Sequence, residues 1–294
     1  MAVSIEPRAI RARRARSSRE DGGQTARRWF TPWLLLAPGA LWLLLFFVLP
    51  GFELVRLAFS DGGFSNFSNA VSDNSTVIVR TFIYAAIATL SAIAIGYPLA
   101  YVIAMRGGRF KNLLIALVVA PFFVTYLVRT LAWKILLYDG GPVVSVLHSL
   151  GVLGENQGIL GSPFAVVAAL TYNFLPFMVL PIYVSLEKID RRLLEAAADL
   201  YASPARAFRA ITLRLSLPGL FAGTLLTFIP AAGDFVNSEL LGSDRTVMIG
   251  NIIEKNFGKE FFRPELSALS FLLMAVILIG VAVYARLLGT EDIA

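Results

Sequence analysis

Charged and polar residues are few in this 294-residue chain, and three groups of them have types and spacings that could do chemistry. The first lies within residues 188–217, where Glu195 and Asp199 stand four apart and Arg206, Arg209 and Arg214 follow. Acids at that spacing share a helix face, and the arginines line a second arm, so the segment is suited to docking against another surface. The second is Asp234, set beside Pro230 and Gly233 in an apolar stretch, with Glu239 just beyond and Asn173 in a separate apolar stretch. An acid flanked by Pro and Gly at membrane depth usually borders a cavity or gate, so this group points to passage of a polar solute. The third is Arg129 and Lys134, with Trp133 between them, near one end of an apolar helix. Charges there either face a polar pathway or snorkel to the headgroups, and the sequence leaves both open.

Other chemistries are excluded or poorly supported. The chain has no cysteine and one histidine, His148, which rules out disulfides and thiol catalysis and argues against histidine metal clusters. His148 falls in a glycine-bounded amphipathic stretch and reads as a surface side chain. No G-x-x-x-x-G-K-[ST] phosphate loop occurs, since Gly258-Lys259 lacks the upstream glycine, so no nucleotide site of that kind is expected. Paired carboxylates, a nucleophile elbow and metal-ligand spacing are also missing. The net charge of +6 is concentrated in residues 1–28, which carry eight arginines without apolar periodicity. Such a tail is expected to be disordered and cytoplasmic, a positive flank for the first membrane helix rather than a nucleic-acid arm.

The elements that must position these groups are membrane helices. Hydrophobic residues make up 57% of the chain and charged residues 16%, with a mean hydropathy of +0.70, which is too apolar for a soluble domain. The expected class is an all-α polytopic membrane protein. Apolar runs at 29–50, 77–105, 113–137, 164–186, 218–241 and 264–288 read as six spans, with residues 51–76, 138–163 and 242–263 as outer loops. Ala88, Ala92, Gly96, Ala100 and Ala104 recur every four residues in the second span, and Gly219 and Gly223 open the fifth. Both patterns let another helix approach closely. Pro121 interrupts the third span. With both ends inside, 18 of the 26 Lys and Arg residues fall on the cytoplasmic side, 5 fall outside and 3 lie within helices. The positive-inside rule therefore supports six spans, cytoplasmic termini and a cytoplasmic 188–217 segment. The spanning domain is expected at 29–289, followed by a short tail, 290–294.

Within 188–217 the local signals describe two short helices with a corner. Residues around Glu195 are strong helix formers, and Ser203-Pro204 reads as an N-cap followed by proline at the first helical position. An ordinary amphipathic loop accounts for the same residues. The segment nevertheless resembles the EAA loop of permease subunits of bacterial ABC importers, whose pattern is E-A-A, three residues, G, nine residues, I-x-L-P. Glu195, Ala196, Ala197, Ile211 and Leu213 fall on that pattern, whereas Tyr201 replaces the glycine and Arg214 the final proline. Tyrosine in a left-handed corner would cost on the order of 1–2 kcal/mol, which leaves room for a corner built another way. Two further strings resemble the spermidine/putrescine permease branch of this family. One runs from Pro121 to Val128-Arg129-Thr130-Leu131-Ala132-Trp133, and the other is Ile229-Pro230-Ala231-Ala232-Gly233-Asp234-Phe235-Val236.

The resemblance covers about residues 33–289 and implies a type I ABC importer permease fold. It implies alternating access driven by a cytoplasmic ATPase whose groove receives Glu195, Ala196, Ala197, Asp199, Tyr201, Ala202, Ser203 and Phe208. The implied partners are a second permease subunit forming a heterodimer, two copies of the ATPase and an extracytoplasmic binding protein, within the lipid bilayer. No cofactor is expected on this chain, since ATP and magnesium belong to the ATPase. Arg129, Trp133, Tyr172, Asn173, Asp234 and Glu239 are the candidate pathway residues. The acids and aromatic faces among them suit a flexible polycation through charge attraction and cation–π contact. A related importer for ferric iron, sulfate or an opine or amino-acid compound is the alternative within the class. A secondary transporter is the alternative outside it.

Overall fold

The computed structural model describes residues 35–154, 157–256 and 263–287, so the 1–28 and 290–294 tails lie outside the described residues. Two units are each compact, residues 1–57 and 58–294. In the first, α1 (Leu35–Ala58) is apolar all round up to the Glu53–Arg56 ion pair (3.2 Å) near its end, with a π turn at Leu44–Val48. Its length of about 36 Å is enough to cross a bilayer core.

The second unit is organised on α2 (Phe64–Arg106), α6 (Pro163–Glu187) and α8 (Pro204–Ala232). Serine 162 caps α6 by accepting from the Ala165 amide at 3.2 Å, and Pro163 fills the first helical position, where no amide is needed. Helix α6 is the most buried of the three, and its flanks receive both small-residue patterns. Ala88, Ala92, Gly96 and Ala100 of α2 are buried. A Cβ on Gly96 would stand 3.2 Å from Met178 Cγ and 3.3 Å from Val179 Cγ2. On the other flank, a Cβ on Gly223 would stand 2.9 Å from Met178 Sδ, and one on Gly219 would strike the Pro181 carbonyl and Ser185. The glycines thus set the distance at which α2 and α8 pass α6. Tyr84, Phe174, Ala231 and Met248 fill one end of this three-helix core, and Ile103, Met178, Ile182 and Leu186 the other.

Several boundaries differ from the sequence reading. Helix α2 begins at Phe64 rather than residue 77, because the polar stretch continues the helix beyond the apolar run. Its turn is closed by Asn66, whose side-chain amide donates to the Ala58 (3.1 Å) and Ser60 (2.7 Å) carbonyls. The third apolar run is two helical pieces, residues Gly108–Phe123 and Tyr126–Ser149, meeting at 93°. The first contains α3 (Lys111–Val119); the second contains α4 (Tyr126–Leu137) and, after a Gly140-Gly141 turn, α5 (Pro142–Ser149). Pro121 sits in a 3-10 turn just before the bend. The fifth span does not start at residue 218: α8 runs unbroken from Pro204, with a π turn at Phe208–Thr212. Helix α8 ends at Ala232, and α9 (Val236–Leu241) resumes beyond Asp234. The region read as the third outer loop contains α10 (Ile249–Asn256), and α11 (Pro264–Leu287) follows. Among the described residues, five helices are long and apolar enough to cross a membrane, or six when the bent pair counts as one span.

Candidate functional site

The elbow is helix α7 (Arg191–Asp199) followed by the start of α8. Asp190 opens α7 by accepting from the Arg192 amide at 2.9 Å. The helix closes with two bonds, Tyr201 N–H to the Ala198 carbonyl and Ala202 N–H to the Ala197 carbonyl, both 2.9 Å. That pairing is a Schellman turn, which needs a left-handed residue at its corner. Tyr201 supplies it with φ 56°, so the departure from glycine leaves the corner geometry intact and moves its strain onto a tyrosine. Ser203 caps the next helix by accepting from Arg206 N–H at 3.4 Å.

Burial shows what the elbow offers. Glu195, Ala196, Asp199 and Ser203 are exposed, Ala197 and Ala202 half-buried, and the tip carries Leu200 at 82% and Tyr201 at 97% exposure. Two apolar side chains at a polar corner form a knob with no partner among the described residues. Phe208 points the other way, edge-on to Tyr97 (6.0 Å) and Tyr101 (5.8 Å) of α2. Arg191 donates to the Met105 carbonyl at 3.4 Å, and the Lys111–Glu187 ion pair joins the nearby ends of α3 and α6. The Phe208 ring and the Arg191–Met105 bond thus fasten the elbow to α2.

A buried polar junction forms where the two broken helices meet α6. Tyr126, the first residue of α4, donates its hydroxyl to Asp234 Oδ2, while Asn237 N–H donates to Asp234 Oδ1 at 2.9 Å. Asn237 Nδ2 donates in turn to the Tyr126 hydroxyl oxygen. Asn237 Oδ1 accepts from Asn173 Nδ2 at 3.1 Å and from Thr130 Oγ1 at 3.2 Å. Asn173, Thr130, Asp234 and Asn237 are all buried, and each hydrogen bond here replaces one lost from water. Arg129 is buried too. Its guanidinium lies over the Phe122 and Tyr126 rings at 5.4 and 5.7 Å, and its Nε and Nη1 have no acceptor among the described residues. It does not snorkel, whereas Lys134 is exposed.

The six pathway candidates thus separate. Arg129, Asn173 and Asp234 come together in the junction. Trp133 and Tyr172 pair with each other, ring centres 5.5 Å apart, on a groove of about 520 Å³ also lined by Ile87, Ser91 and Thr171. Glu239 stands apart, with Lys255 at 3.1 Å and the Asn251 amide at 3.2 Å. His148, half-buried, contacts the Gln157 carbonyl at 3.0 Å. Tyr126, Thr130 and Asn237 were not singled out by sequence. The usable signal is spacing: Arg129 and Thr130 follow Tyr126 by three and four, and Asn237 follows Asp234 by three.

Comparison with known proteins fits this geometry. Residues 92–289 match the family described as the binding-protein-dependent transport system inner membrane component. The chain belongs to this family. It is a multi-pass inner-membrane permease. The spermidine/putrescine transport system permease protein PotB of Escherichia coli (strain K12) is 36% identical over 256 residues, covering 83% of this chain and 93% of that one. The Haemophilus influenzae PotB is 34% identical over 256 residues, covering 83% and 90%. Among solved structures, a bacterial ABC transporter that imports the acidic polysaccharide alginate superposes with a TM-score of 0.77 at 17% identity, covering 92% of the permease and 98% of that chain. That similarity carries the fold, not the substrate. A second structure shows the alginate transporter in complex with an alginate-bound periplasmic protein.

Proposed function

We propose that this permease is one of two membrane subunits of an ATP-driven importer for polyamines such as spermidine and putrescine. It crosses the membrane six times with both ends in the cytoplasm, the bent pair serving as the third span. The skew of 18 inner against 5 outer Lys and Arg residues supports that orientation. A binding protein delivers substrate at the outer face, and two copies of a cytoplasmic ATPase drive alternating access. The ATPase groove receives the elbow, from Glu195 through Ser203, while Phe208 relays its movement to α2.

One observation carries the substrate assignment: relatives at 34–36% identity along most of both chains are spermidine/putrescine permeases. The chemistry of the site supports it. Asp234 is an acid at membrane depth, and Trp133 and Tyr172 offer the aromatic faces that ammonium groups favour. In this orientation Glu239 lies nearer the outer face than Asp234, with Lys255 tempering its charge. Arg129 positions the Tyr126 ring and is not an anion site in this reading. The test is uptake of labelled spermidine and putrescine into cells with and without this chain, competed by iron, sulfate and amino-acid compounds. Uptake lost on deletion and restored on re-expression supports the proposal. Unchanged uptake in cells lacking any redundant system refutes the substrate assignment.

A further inference from the structure

We propose that the Tyr126–Asp234 hydrogen bond is a latch that holds the importer in its ligand-free state, and that an ammonium group of the substrate opens it. The proposal rests on the alternating-access reading above. Its first support is position. Tyr126 is the first residue after the 93° bend between α3 and α4, and Asp234 lies in the break between α8 and α9. The bond therefore ties together two discontinuous helices, the kind of element that re-angles in transport, with the Asn237 bonds to Tyr126 and Thr130 beside it. The second support is occupancy. Asp234 Oδ2 carries the Tyr126 hydroxyl and Oδ1 the Asn237 amide, so in this arrangement each carboxylate oxygen already holds one donor from this chain. Both donors are neutral. A cation competes for a buried carboxylate more strongly than a neutral hydroxyl does, because the bond it forms joins opposite charges.

The third support is the hub behind the bond. Asn237 touches the Tyr126 hydroxyl, the Asp234 carboxylate, Thr130 and Asn173, so release of Tyr126 unsettles α4, α6 and α9 at once. Asn173 Oδ1 and Arg129 Nε and Nη1 are buried donors and acceptors without partners among the described residues. Unsatisfied groups around a carboxylate held by neutral donors mark a junction with more than one possible pairing.

The test uses the assembled importer in nanodiscs, with ATP hydrolysis measured without binding protein and then with binding protein and spermidine. Tyr126→Phe removes only the hydroxyl. The variant loses both bonds of that hydroxyl, to Asp234 and from Asn237, and the expected result is at least a roughly tenfold rise in basal hydrolysis, the scale of the charge-assisted bond alone, with a stimulation ratio falling towards one. Asp234→Asn keeps an acceptor for Tyr126 and should lie between wild type and Tyr126→Phe. The double variant should match Tyr126→Phe. Unchanged basal hydrolysis, a proportional fall in both rates, or additive effects in the double variant would overturn the latch. Should Tyr126→Phe fail to assemble, Asp234→Asn carries the test: a several-fold basal rise supports the latch, and an unmoved ratio overturns it. A wild-type importer that the binding protein does not stimulate refutes the alternating-access reading instead.

Discussion

Replacing Tyr201 by glycine should stabilise the elbow while impairing transport. At φ 56° and 97% exposure, the tyrosine pays the left-handed strain and buries almost nothing in this chain. Removing that strain is worth about 1–2 kcal/mol, and the freedom glycine gains in the open chain returns about 0.5–1 kcal/mol of it. With like ends of the two ranges paired, the net gain is about 0.5–1 kcal/mol, a roughly two- to fivefold fall in the locally open population. Tyr201→Ala keeps the strain and loses the same ring, so it isolates the backbone effect. Hydrogen exchange of the Ala202 amide, which bonds the Ala197 carbonyl at 2.9 Å, reads the corner directly. Tyr201→Gly should protect that amide two- to fivefold better than Tyr201→Ala, and uptake should fall in both. Equal or weaker protection in the glycine variant would refute the account of the corner. Wild-type uptake in both would show that the exposed ring does not dock.

Three further outcomes follow from the packing and the proposed docking. Gly223→Val places its Cβ 2.9 Å from Met178 Sδ and 3.0 Å from the Met178 carbonyl oxygen and should destabilise the helix pair by about 1–3 kcal/mol; an unchanged thermal midpoint in detergent contradicts this. Phe208→Ala removes the ring set against Tyr97 and Tyr101, so uptake should drop several-fold while the ATPase still co-purifies; loss of co-purification would place Phe208 in the docking surface instead. Glu195→Arg should abolish uptake with normal membrane levels, and normal uptake by that variant removes the docking role of the acid.

The apolar runs and the small-residue stripes were legible because they report directly on lipid contact and on close helix approach. Ala92, Gly96, Gly219 and Gly223 needed only a partner, which proved to be α6. Hydropathy could not report where helices continue beyond the membrane. Residues 64–76 and 204–217 are polar, yet they extend α2 and α8 because backbone hydrogen bonding does not depend on the solvent outside. Pro121 marked an interruption without fixing its angle. At the site, Asp234, Asn173 and Arg129 stood out through the cost of polar groups at depth. Tyr126, Thr130 and Asn237 did not, since each is unremarkable in its own stretch. Their role comes from bonds between residues 107 and 111 positions apart, which only the fold brings together.

The most direct test of polyamine import is ATP hydrolysis by the purified importer containing this chain, measured as binding protein loaded with spermidine, putrescine or sulfate is added. The account predicts stimulation by the two polyamine-loaded forms alone, with matching ATP-dependent uptake into vesicles. Stimulation by another cargo but not by polyamines would contradict the substrate, and spermidine uptake that persists without ATP would contradict the mechanism.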